Sequence, residues 1–160
     1  MYETYYKTPV GFAYITADDH YITKVSIRDG EYPDEPPASP LLQEAVKQLH
    51  EYFEGERKSF DLPLQQPGTN FQQQVWKQLQ QIAFGNTITY AQQSQLMKMP
   101  LAIRAIAAAN GKNNLWLVVP CHRVIGSNGS LTGYAGGLWR KKWLLAHEAR
   151  VTGTAQTTLF

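Results

Sequence analysis

Cys121, His122 and Arg123 follow one another in the stretch VVPCHRVIG, residues 118–126, and Cys121 is the only cysteine of the 160-residue chain. A thiolate beside a base is an apparatus for nucleophilic group transfer. His122 and Arg123 bring positive charge and hydrogen-bond donors that favour thiolate over thiol. Pro120 fixes a backbone angle just ahead of the sulfur and ends strand pairing there. Neighbouring residues of an extended chain point to opposite sides, so Cys121 and His122 are expected to communicate through a sharp bend or a bridging water. An imidazole acting as base also needs an acceptor on its second nitrogen. After residue 62 the chain offers one acid for that task, Glu148 in LLAHE. Helical spacing puts it on the face of Leu144 and Leu145, pointing inward, where an unpaired charge would be costly. A lone cysteine is more often an inert buried hydrophobe; the company of these residues argues for chemistry here.

The charges divide the chain. Residues 1–62 carry 6 Lys and Arg against 12 Asp and Glu, a net −6, whereas residues 63–160 carry 9 against 1, a net +8. A basic lobe of this kind suits a polyanion, nucleic acid being the commonest. One cysteine makes no internal disulfide and no thiolate zinc cluster, which points to a reducing compartment. With no signal-peptide pattern and no apolar run of about 18 residues, the expectation is a cytoplasmic protein with no membrane partner.

Around the site the sequence predicts an α/β (α+β) fold in two lobes. YETYYKT, FAYITA and YITKVSI, joined by a Pro-Val-Gly turn and by Asp18-Asp19, form a short antiparallel meander. Ser39 is placed to cap a helix with Pro40 in its first turn and a stripe of Leu42, Val46, Leu49 and Phe53, ended by Gly55. FDLPLQQPGT breaks the periodicity, giving a lobe over 1–62, a linker over 63–68, a second domain over 69–150 and a flexible tail over 151–160. In the second domain Asn70 is positioned to cap a helix carrying Phe71, Val75, Trp76 and Leu79 and ending near Gly85. A short helix over 90–97 begins at Thr89 and Tyr90, and PLAIRAIAAANG gives another, closed by a left-handed cap at Asn110 and Gly111. Two short helices in a basic lobe fit a helix-turn-helix. Arg104 is the only charge on the second, whose small side chains would let it lie close to DNA while the arginine reaches between base pairs. The glycines of GSNGSLTGYAGG, with a turn at Asn128-Gly129, let backbone groups approach a flat ligand. LWRKKWLLAHE forms the last helix.

Val119-Pro120-Cys121-His122-Arg123-Val124, then GYAGG, then WLLAHE, together resemble the O6-alkylguanine-DNA alkyltransferase family in its bacterial form. The likeness runs from about residue 69 to 148. The first lobe is similar in layout, a small ribonuclease-H-like meander with a helix, and the second would hold a winged helix-turn-helix-like DNA-binding motif. The resemblance implies DNA repair by stoichiometric, irreversible transfer of an alkyl group from O6-alkylguanine to Cys121, with O4-methylthymine a further candidate substrate. The base would be flipped out of double-stranded DNA by a monomer bound in the minor groove, without cofactor or metal. His122, through a water, and Glu148 are implied to form the relay that makes the thiolate, and Asn113 to brace the turn that holds the site. Tyr90 would help rotate the nucleotide and give a proton to the departing guanine, and Arg104 would fill the vacated place in the stack. The carbonyls of Cys121 and Val124 would read the exocyclic amine, and Tyr134 with the amide of Ala135 would line the pocket at O6. Ala102 and Arg123 join the DNA-contacting set.

Three positions depart from the family pattern. Ala107 and Ile103 stand where Gly and Ala are common, and Asn114 replaces a usual proline; extra bulk at Ile103 is expected to hold the helix farther from DNA. Two other functions stay open on the sequence. One is a damage-binding protein of the same fold that flips the base without reacting, against which the presence of Cys121 counts. The other is a hydrolase that turns over with Cys121, His122 and Glu148.

Overall fold

The computed structural model describes residues 1–131 and 133–153; from residue 154 on, the expected tail lies outside the described residues. By their contacts these residues form two units, one of Met1–Pro67 with Asn114–Val118, the other of Gly68–Asn113 with the chain from Val119 onward.

In the first unit, β1 (Tyr2–Thr8), β2 (Gly11–Ala17) and β3 (Ile22–Arg28) form an antiparallel sheet in that order. Thr8 faces Gly11 across the Pro9-Val10 turn, and Gly11 takes a φ of 125° that suits glycine. Ala13, Ile15 and Ala17 alternate onto one buried face of β2. Helix α1 (Pro40–Phe53) packs against all three strands. Ser39 caps it by accepting from the Leu42 amide, Pro40 opens it, and Leu42, Ala45, Leu49 and Tyr52 are its buried stripe.

Two stretches differ from the sequence expectation, both because the edge of β3 needs partners for its backbone groups. The supposed linker supplies some of them: the Ile22 amide donates to the Pro63 carbonyl at 2.8 Å, and the Gln65 amide to the Ile22 carbonyl at 3.0 Å. Asn114 and the start of LWLVV supply others through a single bridge, with the Val25 amide donating to the Asn114 carbonyl and the Trp116 amide to the Val25 carbonyl, each at 2.9 Å. The Asn114 amide itself donates to Gln66 Oε1 at 2.9 Å, a bond that a proline there would forfeit.

The second unit contains α2 (Asn70–Leu79), β4 (Ile88–Thr89), α3 (Tyr90–Leu96), α4 (Ile103–Gly111), a 3-10 turn (Cys121–Arg123), β5 (Val124–Ile125) and α5 (Leu138–Thr152). Thr69, not Asn70, caps α2: its hydroxyl accepts from the Gln72 amide while the Gln72 side chain accepts from the Thr69 amide. Two orphan donors are satisfied at once by that reciprocal pair, which sets the boundary. The helix stops at Leu79, short of Gly85. Thr89 and Gln92 repeat the device at the start of α3.

Helix α4 packs on α2 and α3 with Ile106, Ala109 and Asn110 inward, and Trp76 Nε1 donates to the Ala109 carbonyl at 2.9 Å. The expected left-handed cap is absent from its end. Asn110 is buried and exchanges two amide hydrogen bonds with Gln93, at 3.0 and 2.8 Å, so a tertiary partner keeps it helical and Lys112 ends the helix in right-handed geometry. At the other end of the chain, Val151 and Thr152, expected in the tail, complete α5 before Gly153 turns left-handed at φ 75°. Among the described residues no helix is long and apolar enough to cross a membrane.

Candidate active site

A two-residue parallel ladder frames the site, with Ile88 opposite Val124 and Thr89 opposite Ile125. Tyr90 follows β4 directly and opens α3; the Cys121–Arg123 turn runs directly into β5. Backbone pairing therefore sets the phenol's helix against the thiol's turn.

The sharp bend expected between Cys121 and His122 is that 3-10 turn. The Cys121 amide donates to the Val119 carbonyl at 2.9 Å and the Arg123 amide to the Pro120 carbonyl at 3.1 Å. Asn113, buried, donates from Nδ2 to the same Val119 carbonyl at 2.9 Å and approaches Cys121 Sγ to 3.5 Å. Cys121 itself is half-buried. Burial pushes its thiol pKa up, while the Asn113 hydrogen bond and the charge of Lys141 pull it down.

Lys141 is a site residue that the sequence reading missed. It is fully buried, with Nζ 5.8 Å from the centroid of the Tyr90 ring. Burial lowers its pKa to about 8, and the negative sulfur opposes that fall. A signal was available: positions 141, 144, 145 and 148 recur at the spacing of one helix face, the inward one.

His122 is fully buried, and its Nε2 lies 2.7 Å from Glu148 Oε2. Its Nδ1 has no hydrogen-bond partner among the described residues. Burial lowers the imidazole pKa against the pull of Glu148, so the ring is neutral; with Nε2–H donating to the carboxylate, Nδ1 carries the free lone pair of a base. Glu148, 1% exposed, also accepts from Arg123 Nε at 2.8 Å, Arg123 Nη2 at 3.1 Å and the Gly85 amide at 3.1 Å. Burial alone would raise its pKa, but His122 and Arg123 hold it well below the ordinary carboxylate range.

Arg123, expected among the DNA contacts, is buried instead, and besides gripping Glu148 it donates to the Ile82 carbonyl at 2.8 Å. The cation that favours the thiolate is accordingly Lys141, not His122 or Arg123, because Glu148 neutralises the arginine and burial keeps the imidazole uncharged.

The remaining candidates lie in β5, in the loop ahead of α5 and at the start of α4. Val124 is buried in β5, Tyr134 is half-buried and Ala135 exposed. The Tyr134 phenol pKa is raised well above its usual value, by burial first and then by the negative charge of Cys121. The Tyr134 carbonyl accepts from the Gly137 amide at 2.9 Å, and Arg140 Nη1 donates to the Gly136 carbonyl at 3.0 Å, fixing the loop ahead of α5. Arg104, exposed, and Ala102, half-buried, lie at the start of α4 and take no part in the hydrogen-bonded cluster around Glu148.

Comparison with known proteins agrees over both units. Residues 70–150 match the DNA binding domain of 6-O-methylguanine DNA methyltransferase, and residues 1–66 its ribonuclease-like domain. The constitutive methylated-DNA–protein-cysteine methyltransferase of Bacillus subtilis is 42% identical over 159 residues, spanning 94% of this chain and 96% of its own. A Methanosarcina acetivorans protein of the same name is 41% identical over 153 residues, 92% of this chain and 98% of its own. Among solved structures, Mycobacterium tuberculosis OGT in complex with DNA superposes with a TM-score of 0.84 at 37% identity, over 92% of both chains. A thiol, an imidazole and a buried carboxylate could serve several chemistries, but on a chain that aligns with these proteins over more than nine-tenths of its length they have one family context: the protein belongs to the 6-O-methylguanine DNA methyltransferases.

Proposed function

We propose that Cys121 accepts an alkyl group from O6-alkylguanine in double-stranded DNA, once per molecule. As a member of its family the protein is a methylated-DNA–protein-cysteine methyltransferase that binds DNA and repairs it by alkyl transfer to cysteine, and this chain has a single cysteine to offer. It acts in the cytoplasm as a monomer bound in the minor groove. The target atom lies inside the duplex, so the base leaves the stack at a cost of a few kcal/mol, offset by pocket contacts. Arg104 fills the gap, and Ala102 completes the DNA-facing end of α4. Tyr134 and the Ala135 amide line the pocket at O6, while the carbonyls of Cys121 and Val124 accept from the exocyclic amine. Asn113 braces the turn.

The thiol proton passes through a water to His122 Nδ1, and Glu148 stabilises the imidazolium from Nε2. Sγ attacks the alkyl carbon; the S–C bond forms as the C–O6 bond breaks, and the electron pair leaves on guanine, which takes a proton from Tyr90. The thioether meets no second thiol that could resolve it. Arg123 serves by fixing Glu148, and Lys141 by favouring the thiolate.

The observation that carries this reading is the 2.7 Å pair of His122 and Glu148, with no hydrogen-bond partner on the second ring nitrogen among the described residues, one residue from the only thiol. Intact mass after incubation with an O6-methylguanine duplex tests it: a gain of one methyl, absent in Cys121→Ser, is expected. Tight binding at unchanged mass would make the protein a damage binder, and repeated turnover of an ester or amide would make it a hydrolase.

A further inference from the structure

An exposed apolar step lies at the entry to helix α4, formed by its first residue and the residue two before it. Leu101 is 100% exposed and Ile103 39%. Both are held by ordered backbone: the Ala102 amide donates to the Met99 carbonyl at 2.9 Å, the Met99 amide to the Ser94 carbonyl at 2.8 Å, and Ile103 is already helical. Arg104 comes next, exposed, and its helix face continues through Ala108 and Gly111, also exposed; a Cβ on Gly111 would meet nothing within 4 Å. The outer face of α4 is therefore smooth, with two aliphatic side chains and one cation gathered at its leading end.

The charge around this face is one-sided. Glu148 is the sole acid after residue 62 and is buried under four donors, so the surface of this unit presents no acidic side chain. Such a surface fits a partner with an anionic rim and an apolar trough. The minor groove has that chemistry, with phosphates along its edges and deoxyribose C–H groups on its walls, and apolar wedges beside a cation are a recurrent means of opening a base step. A second copy docking through this same face fits poorly, since like charge would face like.

We propose that Leu101 and Ile103 pack against the sugar walls of the minor groove beside the step that Arg104 enters, so that part of the DNA affinity is apolar and escapes screening by salt. The inference rests on the minor-groove reading above. It reverses the expectation that bulk at Ile103 holds the helix away: the side chain is a contact and not a spacer.

The test is duplex affinity across a salt series for the wild type, Leu101→Ser, Ile103→Ala and the double variant, with thermal melts to verify folding and transfer from free O6-methylguanine to verify the reaction site. Each single change is expected to weaken duplex binding about tenfold and the pair about a hundredfold, as expected for losing buried aliphatic area. The slope of log affinity against log salt should stay that of the wild type, because no phosphate contact is lost. Unchanged affinity, or a loss accompanied by a shallower slope, overturns the proposal. So does sedimentation showing that the wild type self-associates and Leu101→Ser does not. A wild type that reacts with the free base yet binds no duplex overturns the underlying function and this inference together.

Discussion

Glu148 Oε2 lies 2.7 Å from His122 Nε2, with both side chains closed off from solvent. Charge and hydrogen bonding hold the carboxylate in its anionic form, so it orients the ring and stabilises the imidazolium as it forms. Glu148→Gln should slow alkyl transfer by about 10²-fold and change DNA affinity less than about twofold. Because the carboxyl pKa is lower in the folded than in the unfolded chain, its stabilisation is complete above the unfolded pKa of about 4.3 and is lost as pH falls below it. Denaturant melts from pH 7 to pH 3 should show a shallower acid limb for Glu148→Gln, whose buried Arg123 costs about 3 kcal/mol once left without a counter-charge.

Lys141 is buried with its Nζ 5.8 Å from the centroid of the Tyr90 ring, and its charge lowers the pKa of the Cys121 thiol. In Lys141→Met, iodoacetamide labelling of Cys121 should titrate at higher pH than in the wild type, and transfer at neutral pH should fall severalfold. Above about pH 8 the difference narrows, because the wild-type lysine itself loses its proton there. Stability carries the opposite sign. The unfolded lysine, with a pKa of about 10.4, binds more protons than the folded one between about pH 8 and that value, so wild-type stability rises with pH across the window. Lys141→Met should abolish the rise.

Arg104 is exposed at the second position of α4 and has its role only where a base stack exists. Arg104→Ala is expected to reduce repair of duplex DNA about tenfold or more while changing the reaction with the free modified base little. Equal losses on both substrates would remove the wedge assignment.

Gln93 and Asn110 lock α3 to α4 through a buried amide pair. Asn110→Ala leaves the Gln93 amide unsatisfied and should destabilise the protein by about 1–3 kcal/mol. The double change Gln93→Leu with Asn110→Leu should recover part of that loss in chemical unfolding, because both polar groups leave together.

Legibility in the sequence followed the range of the forces involved. Ser39 and Pro40 marked the start of α1 because capping is settled within four residues. Glu148 could be named as the partner of His122 because no other acid follows residue 62. Arg123 could not be assigned: whether a guanidinium meets a phosphate or a carboxylate depends on where α5 brings Glu148, 25 residues on. Asn110 beside Gly111 has the local chemistry of a left-handed cap, yet an amide 17 residues away outbid it. Lys141 was hidden between Arg140 and Lys142, where a run of three basic residues suggests a solvated face, although Lys142 alone of the three is exposed.

The ladder of β4 and β5 is two residue pairs long, and both pairs are made of backbone. The separation between the phenol and the thiol is thus gauged by peptide geometry, which is the same whatever side chains decorate the surface of α3 and α4. Sequence drift at positions such as Ile103 and Ala107 can retune how the protein grips its polymer without detuning the chemistry, leaving substrate engagement and reactivity free to evolve separately.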